Sequence, residues 1–119
     1  MINLDTHIVL FTLTGELRLR EKALLAREPA GISAIVLWEI TKLFQRGRID
    51  VSLEDPDLTR ALSRMTIWPI DRDVCLQLNG LDFHSDPADE LIAATSLAHG
   101  VPLLTRDRRI RTSRKVLMA

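Results

Sequence analysis

The chain alternates between short apolar runs and longer segments in which apolar residues recur at helical spacing. Mostly apolar runs predict buried strands at 2–5, 31–32, 66–70 and 101–105. Apolar residues three or four positions apart predict helices near 7–13, 16–28, 34–46, 57–65, 72–78 and 87–99. Because short strands alternate with helices, the pattern predicts an α/β fold with a central, mainly parallel sheet.

Residues that favour helix and strand ends mark many of these boundaries. Asp86 is a good N-cap, Pro87 suits the first helical position, and Gly100 suits the position after the last turn. Pro69 predicts that the strand at 66–70 lies at or near a sheet edge, since proline cannot donate to a strand ladder. The remaining segment, 115–118, is predicted to be a short final strand.

Length and composition limit the possible classes of protein. With 119 residues, 46% of them apolar, we expect residues 1–119 to form a single domain with one core. Cys75 is the one cysteine, which excludes an internal disulfide and offers no cysteine motif for a metal. No signal peptide and no apolar stretch of membrane-spanning length is visible, so we expect a cytoplasmic protein without membrane contact.

Four acidic residues fall where an α/β fold places its ligands, outside the carboxyl ends of the strands. Asp5 ends the first strand, and Asp107 follows the strand at 101–105. Asp89 lies in the first turn of the helix that Asp86 caps, and Glu39 lies on the helix after the second strand. We therefore expect these carboxylates to converge, although Asp89 also fits a capping box and Glu39 could pair with Lys42.

A cluster of this kind has a limited chemistry. Carboxylates about 5 Å apart repel by roughly 3 kcal/mol per pair at an effective dielectric constant near 20. Such groups either take up protons or bind a cation. Oxygen ligands without cysteine or paired histidine suit Mg²⁺ or Mn²⁺ better than Zn²⁺. A hard ion with coordination positions open to water can activate that water to attack a phosphodiester.

Four short motifs, in this order, resemble those of one family. They are Asn3-Leu4-Asp5-Thr6, Ser33-Ala34 with Trp38-Glu39-Ile40, Asp86-Pro87-Ala88-Asp89 with Leu91-Ile92-Ala93-Ala94, and Leu104-Thr105-Arg106-Asp107. The set resembles the PIN-domain nucleases, and more closely the VapC toxins of bacterial type II toxin–antitoxin pairs. Each motif alone is weak, but the four together cover nearly the whole chain and are specific.

The resemblance implies a three-layer α/β/α sandwich and a metal-dependent endoribonuclease that uses Mg²⁺ or Mn²⁺. It also implies an RNA substrate and a small VapB-like antitoxin as partner. The catalytic, metal-binding residues carried over are Asp5, Glu39, Asp89 and Asp107. Hydroxyl groups beside the acids would come from Thr6 and Thr105, and contacts to the RNA backbone from Arg106, Arg108 and Arg109. Asp86 stays outside the metal set, because its position as a cap explains it.

Two other interpretations remain open at this point. The first is a catalytically weak PIN-like module that acts in binding or assembly, against which the four intact acids argue. The second is a phosphoryl-transfer domain of the HAD or receiver type, which needs a second Asp close behind Asp5, and residues 6–9 contain none. A homodimer is predicted partly because short helices such as 57–65 carry more apolar residues than a small core can cover.

Overall fold

The computed structural model describes all 119 residues, and strands and helices alternate along the chain. The strands are β1 (Ile2–Leu4), β2 (Ala30–Ser33), β3 (Thr66–Trp68) and β4 (Leu103–Leu104). The helices are α1 (Thr6–Thr14), α2 (Leu19–Arg27), α3 (Ala34–Gln45), α4 (Pro56–Leu62), α5 (Arg72–Gln77), α6 (Pro87–His99) and α7 (Arg108–Arg111). One 3₁₀ turn spans Leu78–Gly80. None of the helices is both long enough and apolar enough to span a lipid bilayer.

The four strands form one sheet in the order β3-β2-β1-β4, and every pair is parallel. The predicted α/β fold with a parallel sheet is therefore confirmed. At the centre of the sheet, Asn3 is in register with Gly31 on one side and with Leu103 on the other. The strand that precedes Pro69 is an edge strand, as predicted. Since all strands run the same way, their carboxyl ends meet at one edge of the sheet.

Helices cover both faces of this sheet, which gives the expected three-layer sandwich. All residues of β1 are buried, as a strand covered on both faces requires. The core combines side chains from strands and helices, among them Leu4, Ile8, Ile32, Val36, Ile40, Ile92, Leu103 and Ile110.

A buried asparagine ties α6 to the sheet. The Asn3 side-chain nitrogen donates to the carbonyl oxygen of Ile92 at 3.0 Å and to the hydroxyl of Ser96 at 2.9 Å. The small residues Ala93 and Ala94 are fully buried, so α6 can pack closely. These contacts hold the middle of α6 against β1.

Two local predictions are wrong. Residues 115–118 do not form a strand, since only an isolated parallel bridge joins Met118 to Leu103. The Ser113 side-chain oxygen accepts the backbone N–H groups of Lys115 and Val116, which holds this segment in a turn. The helix predicted at 16–28 begins later, at Leu19, because Arg18 has an extended backbone and its N–H donates to the side chain of Glu21, which caps the helix there.

Candidate active site

Five carboxylates line one pocket of about 280 Å³ at the carboxyl edge of the sheet. They are Asp5, Glu39, Asp86, Asp89 and Asp107. The structure thus brings together the four acids that the sequence singled out and adds Asp86. The pocket is completed by His7, Ile8, Phe11 and Arg106.

Asp5 is the most constrained of these acids. It follows β1 directly and caps α1, where its Oδ1 accepts the N–H of Thr6 at 2.8 Å. Its Oδ2 accepts the hydroxyl of Thr105 at 2.5 Å. The residue is only 5% exposed, and burial raises the pKa of its carboxyl, while the hydrogen bond from Thr105 partly offsets that effect.

Glu39 approaches the pocket from α3. The hydroxyl of Thr6 donates to its Oε1. Burial is the main cause that raises the pKa of Glu39, and the negative charge of Asp5 adds to it. The alternative ion pair with Lys42 does not form, because the Lys42 ammonium donates to Gln45 at 3.3 Å instead.

The beginning of α6 contributes two acids. Asp86 caps the helix through a 3.1 Å hydrogen bond from the N–H of Asp89. The Asp89 Oδ2 accepts the hydroxyl of Ser85 at 2.7 Å. Burial, followed by the nearby negative charges, raises the pKa of Asp89 to about 6. One oxygen each from Glu39, Asp86 and Asp89 lie within 4.8 Å of one another.

Asp86 lines the pocket, although the sequence analysis leaves it outside the metal set because its position as a cap explains it. The usable signal was its spacing: Asp86 and Asp89 lie one turn apart at the start of the same helix, so both reach the strand-end edge. The structure shows that capping and facing the pocket are compatible, since one oxygen of Asp86 caps while the carboxylate lines the cavity.

Asp107 enters from the other side of Asp5. It caps the short helix α7 by accepting the N–H of Ile110 at 3.0 Å. Its own N–H donates to the hydroxyl oxygen of Thr105 at 3.0 Å. Thr105 therefore joins the Asp5 carboxylate to the backbone of Asp107. Thr6 joins the carboxylates of Asp5 and Glu39, through its N–H and its hydroxyl respectively.

The donor set fits a hard divalent cation. No lysine or arginine lies within ion-pair distance of any of the five pocket carboxylates. Arg106 reaches the pocket, but its guanidinium donates to Glu21 at 2.9 and 2.6 Å. Converging carboxylate oxygens without an ion-paired lysine or arginine are the arrangement that Mg²⁺ or Mn²⁺ would stabilise.

The three arginines predicted to contact RNA differ in their surroundings. Arg106 is engaged with Glu21, and Arg109 donates to the carbonyl oxygen of His84 at 3.2 Å. Arg108 is exposed at the first position of α7 and makes no hydrogen bond through its side chain. Of the three, Arg108 has the guanidinium that is free for an external anion.

The amino-acid sequence is similar to a known family and to a known protein. The PIN domain family model matches residues 2–115. Ribonuclease VapC22 from Mycobacterium tuberculosis is 31% identical over 118 residues, which cover 93% of this chain and 90% of that protein.

Solved structures share the fold over almost the whole chain. A toxin–antitoxin complex from Klebsiella pneumoniae superposes with a TM-score of 0.72 at 23% identity, over 99% of this chain and 97% of the other. VapBC2 from Rickettsia felis, bound to a DNA fragment from its promoter, gives 0.73 at 19% identity, over 100% and 98%.

Proposed function

The chain belongs to the PIN-domain family, and from this premise we propose that it is an endoribonuclease that depends on Mg²⁺ or Mn²⁺. It hydrolyses RNA phosphodiester bonds and acts as the toxin of a type II toxin–antitoxin pair. The relative that is 31% identical over nearly its full length is itself named a ribonuclease.

The observation that carries the proposal is the group of five carboxylates around one pocket, none of which has a lysine or arginine within ion-pair distance. Asp5, Glu39, Asp89 and Asp107 would hold the ion, and Asp86 offers an oxygen within 4.8 Å of oxygens of Glu39 and Asp89. A divalent ion bound there supplies a Lewis acid for the scissile phosphate and a lower pKa for an attacking water.

The chain's own groups have separable tasks. The hydroxyl of Thr105 orients the Asp5 carboxylate, and the N–H of Ile110 orients the Asp107 carboxylate. Glu39 and Asp89 would bind the ion directly or through a bound water, and one of them would orient the attacking water.

The partner is proposed to be a VapB-like antitoxin, since the solved relatives are complexes of a toxin with its antitoxin. Large apolar side chains are available for such contacts, among them Trp38, Phe44, Leu53, Ile67, Ile70 and Leu76, each at least 39% exposed. The homodimer stays a prediction, and the same side chains would supply its interface.

The proposal is tested by a cleavage time course on single-stranded and loop-containing RNAs. We expect cleavage in Mg²⁺ or Mn²⁺, none in EDTA, and a loss of at least a hundredfold in Asp5→Asn. The asparagine can still cap α1, so the fold is kept. Asp55→Asn is the matched control, because Asp55 caps the distant helix α4 and asparagine caps as well.

Three outcomes count against the enzyme. Cleavage that survives EDTA, or that persists in Asp5→Asn, would come from a contaminating nuclease. RNA binding without metal-dependent cleavage, across several RNAs, would favour the alternative of a binding or assembly module.

A further inference from the structure

A second pocket, of about 460 Å³, lies beside the acidic one and is lined mainly by arginines. Its lining residues are Arg18, Arg20, Glu21, Leu104, Thr105, Arg106, Arg108 and Arg111. The arginines come from the start of α2 and from the segment after β4, which are far apart in sequence. We call this cavity the arginine pocket.

Most of the positive charge in the arginine pocket is not neutralised by the protein. Glu21 is its only acid, and its carboxylate pairs with Arg106. Arg20 donates to the carbonyl oxygen of Ala119 at 2.6 Å, and Arg111 to that of Thr105 at 3.1 Å. Ala119 is the last residue of the sequence, so Arg20 is set aside. The Thr105 acceptor is uncharged, and no side-chain carboxylate lies within ion-pair distance of Arg18, Arg108 or Arg111. The cavity therefore carries an excess of positive charge.

The wall of the arginine pocket is built from buried contacts. Glu21 is only 4% exposed, and the hydrogen bonds from Arg106 lower the pKa of its carboxyl to about 2. The Glu21 Oε1 also accepts the N–H of Arg18 at 2.8 Å. The Arg106 guanidinium, which pairs with Glu21, also lies 4.2 Å from the centre of the Phe11 ring. These contacts fix the first turn of α2 against the segment after β4.

The two pockets adjoin at this segment. Thr105 lines the arginine pocket while its hydroxyl holds Asp5. Arg106 lines both pockets, and the next residue, Asp107, lines the acidic one. An anion in the arginine pocket would therefore lie beside the carboxylates.

We propose that the arginine pocket binds a phosphate of the RNA substrate other than the one that is cleaved. This inference rests on the proposed function. An RNA backbone approaching five carboxylates is repelled, and a cationic cavity next to them offsets the repulsion and sets the position of the strand. The guanidinium group suits phosphate because it presents several donors in a planar fork.

The lining argues for phosphate rather than an acidic peptide from a partner protein. Leu104 is the only apolar side chain in it, whereas the centre of a protein–protein contact is depleted of charge and rich in apolar groups. A peptide segment would leave most of its own apolar surface uncovered here. An acidic peptide is therefore an outcome that the experiment must be able to report.

The test compares two double variants that lose the same charge. Arg18→Gln with Arg108→Gln empties the arginine pocket of two exposed guanidinium groups. Arg27→Gln with Arg72→Gln removes two exposed arginines that line neither pocket. For each protein, kcat and KM for single-stranded RNA are measured in Mn²⁺, and RNA affinity is measured in EDTA across a salt series.

We expect the pocket variant to raise KM roughly tenfold with kcat within about twofold, because the contact positions RNA without touching the reacting atoms. In EDTA, the slope of log affinity against log salt should become shallower by about 0.7 for one lost phosphate contact to a single strand. The matched variant should resemble wild type. Melting temperatures of both variants report whether the fold is kept.

The outcomes separate this inference from the proposed function. If wild type does not cleave RNA, the proposed function fails. If wild type cleaves and the two double variants have the same KM and salt slope, the arginine pocket has no role in RNA binding. As a further arm, binding of a poly-glutamate peptide is measured for both double variants. A pocket variant that binds this peptide less tightly than the matched variant does, but keeps its KM for RNA, would identify the occupant as an acidic peptide and overturn the inference.

Discussion

Asp89 shows how a single buried carboxylate couples function to stability. Burial and neighbouring acids hold its pKa at about 6, against 3.8 for an unperturbed aspartate. The folded state therefore takes up a proton before the unfolded state does. As pH falls from 7 through 6, this proton uptake stabilises the fold, and the gain is complete near pH 4.

We predict that Asp89→Asn raises the melting temperature of the metal-free protein at pH 7, by roughly 3–5 °C if about 1 kcal/mol of repulsion is removed. The asparagine can still accept the hydroxyl of Ser85. The variant should also lose part of the gain in stability between pH 7 and pH 5. Melting curves in EDTA at both pH values check this, and a lower melting temperature at pH 7 would contradict the assigned repulsion.

At the scale of single residues, the sequence predicted where several acidic side chains lie but not all of the groups that they contact. Asp5 and Asp107 could be placed because a strand end fixes where the next side chain lies. Asp86 was passed over since capping already explained it. Glu21 was missed altogether, because an acid in a polar helix looks exposed and its partner, Arg106, lies 85 residues further along the chain.

At the scale of elements, α2 is held to the segment after β4 by the ion pair of Glu21 and Arg106. The Glu21 side chain is 5% exposed and that of Arg106 is 25% exposed, with 2.6 Å between Oε1 and Nη2. Breaking an ion pair that contains an almost buried charge lowers the free energy of unfolding more than breaking a surface ion pair does. This contact therefore stabilises both α2 and the wall of the arginine pocket.

We predict that Glu21→Gln lowers the free energy of unfolding by roughly 1–3 kcal/mol, below the range for fully buried pairs because Arg106 keeps some solvent. The pKa of Glu21, about 2 against a usual 4.5, adds a pH signature. Its stabilisation is present above pH 4.5 and is lost as pH falls toward 2, and the variant should lack that loss. Urea unfolding at pH 7 and pH 3 measures both effects.

The control for that experiment is Glu54→Gln, which removes an exposed glutamate without an ion pair. Equal stability and equal pH dependence of the two variants would show that the Glu21 contact contributes nothing.

Elements were predictable where a pattern was long or a cap was strong. The start and end of α6 follow from Asp86, Pro87 and Gly100, and Gly100 takes the left-handed conformation, with φ of 63°. Short elements were harder. The two residues of β4 are too few to show an alternation of apolar and polar positions. The turn around Ser113 that prevents a strand at 115–118 depends on side-chain hydrogen bonds that composition does not reveal.

At the scale of the whole molecule, acidic and basic side chains gather in different places although their charges cancel in total. Sixteen acidic and sixteen basic residues cancel in the formal net charge, which gives no indication of a nucleic-acid partner. The fold nevertheless gathers five acids in one pocket and an excess of arginines in the next, along one edge of the sheet. The parallel order of the strands predicted the acidic edge, but the arginine pocket depends on how α2 docks, which the sequence pattern does not determine.

The central claim is that the carboxylate pocket is a site for a divalent ion, and calorimetric titration with Mn²⁺ tests it most directly. Wild type and Asp55→Asn should bind Mn²⁺ with the same affinity, whereas Asp5→Asn should lose binding by at least tenfold while keeping its fold. Mn²⁺ binding of equal strength in all three proteins, or in none of them, would contradict the account.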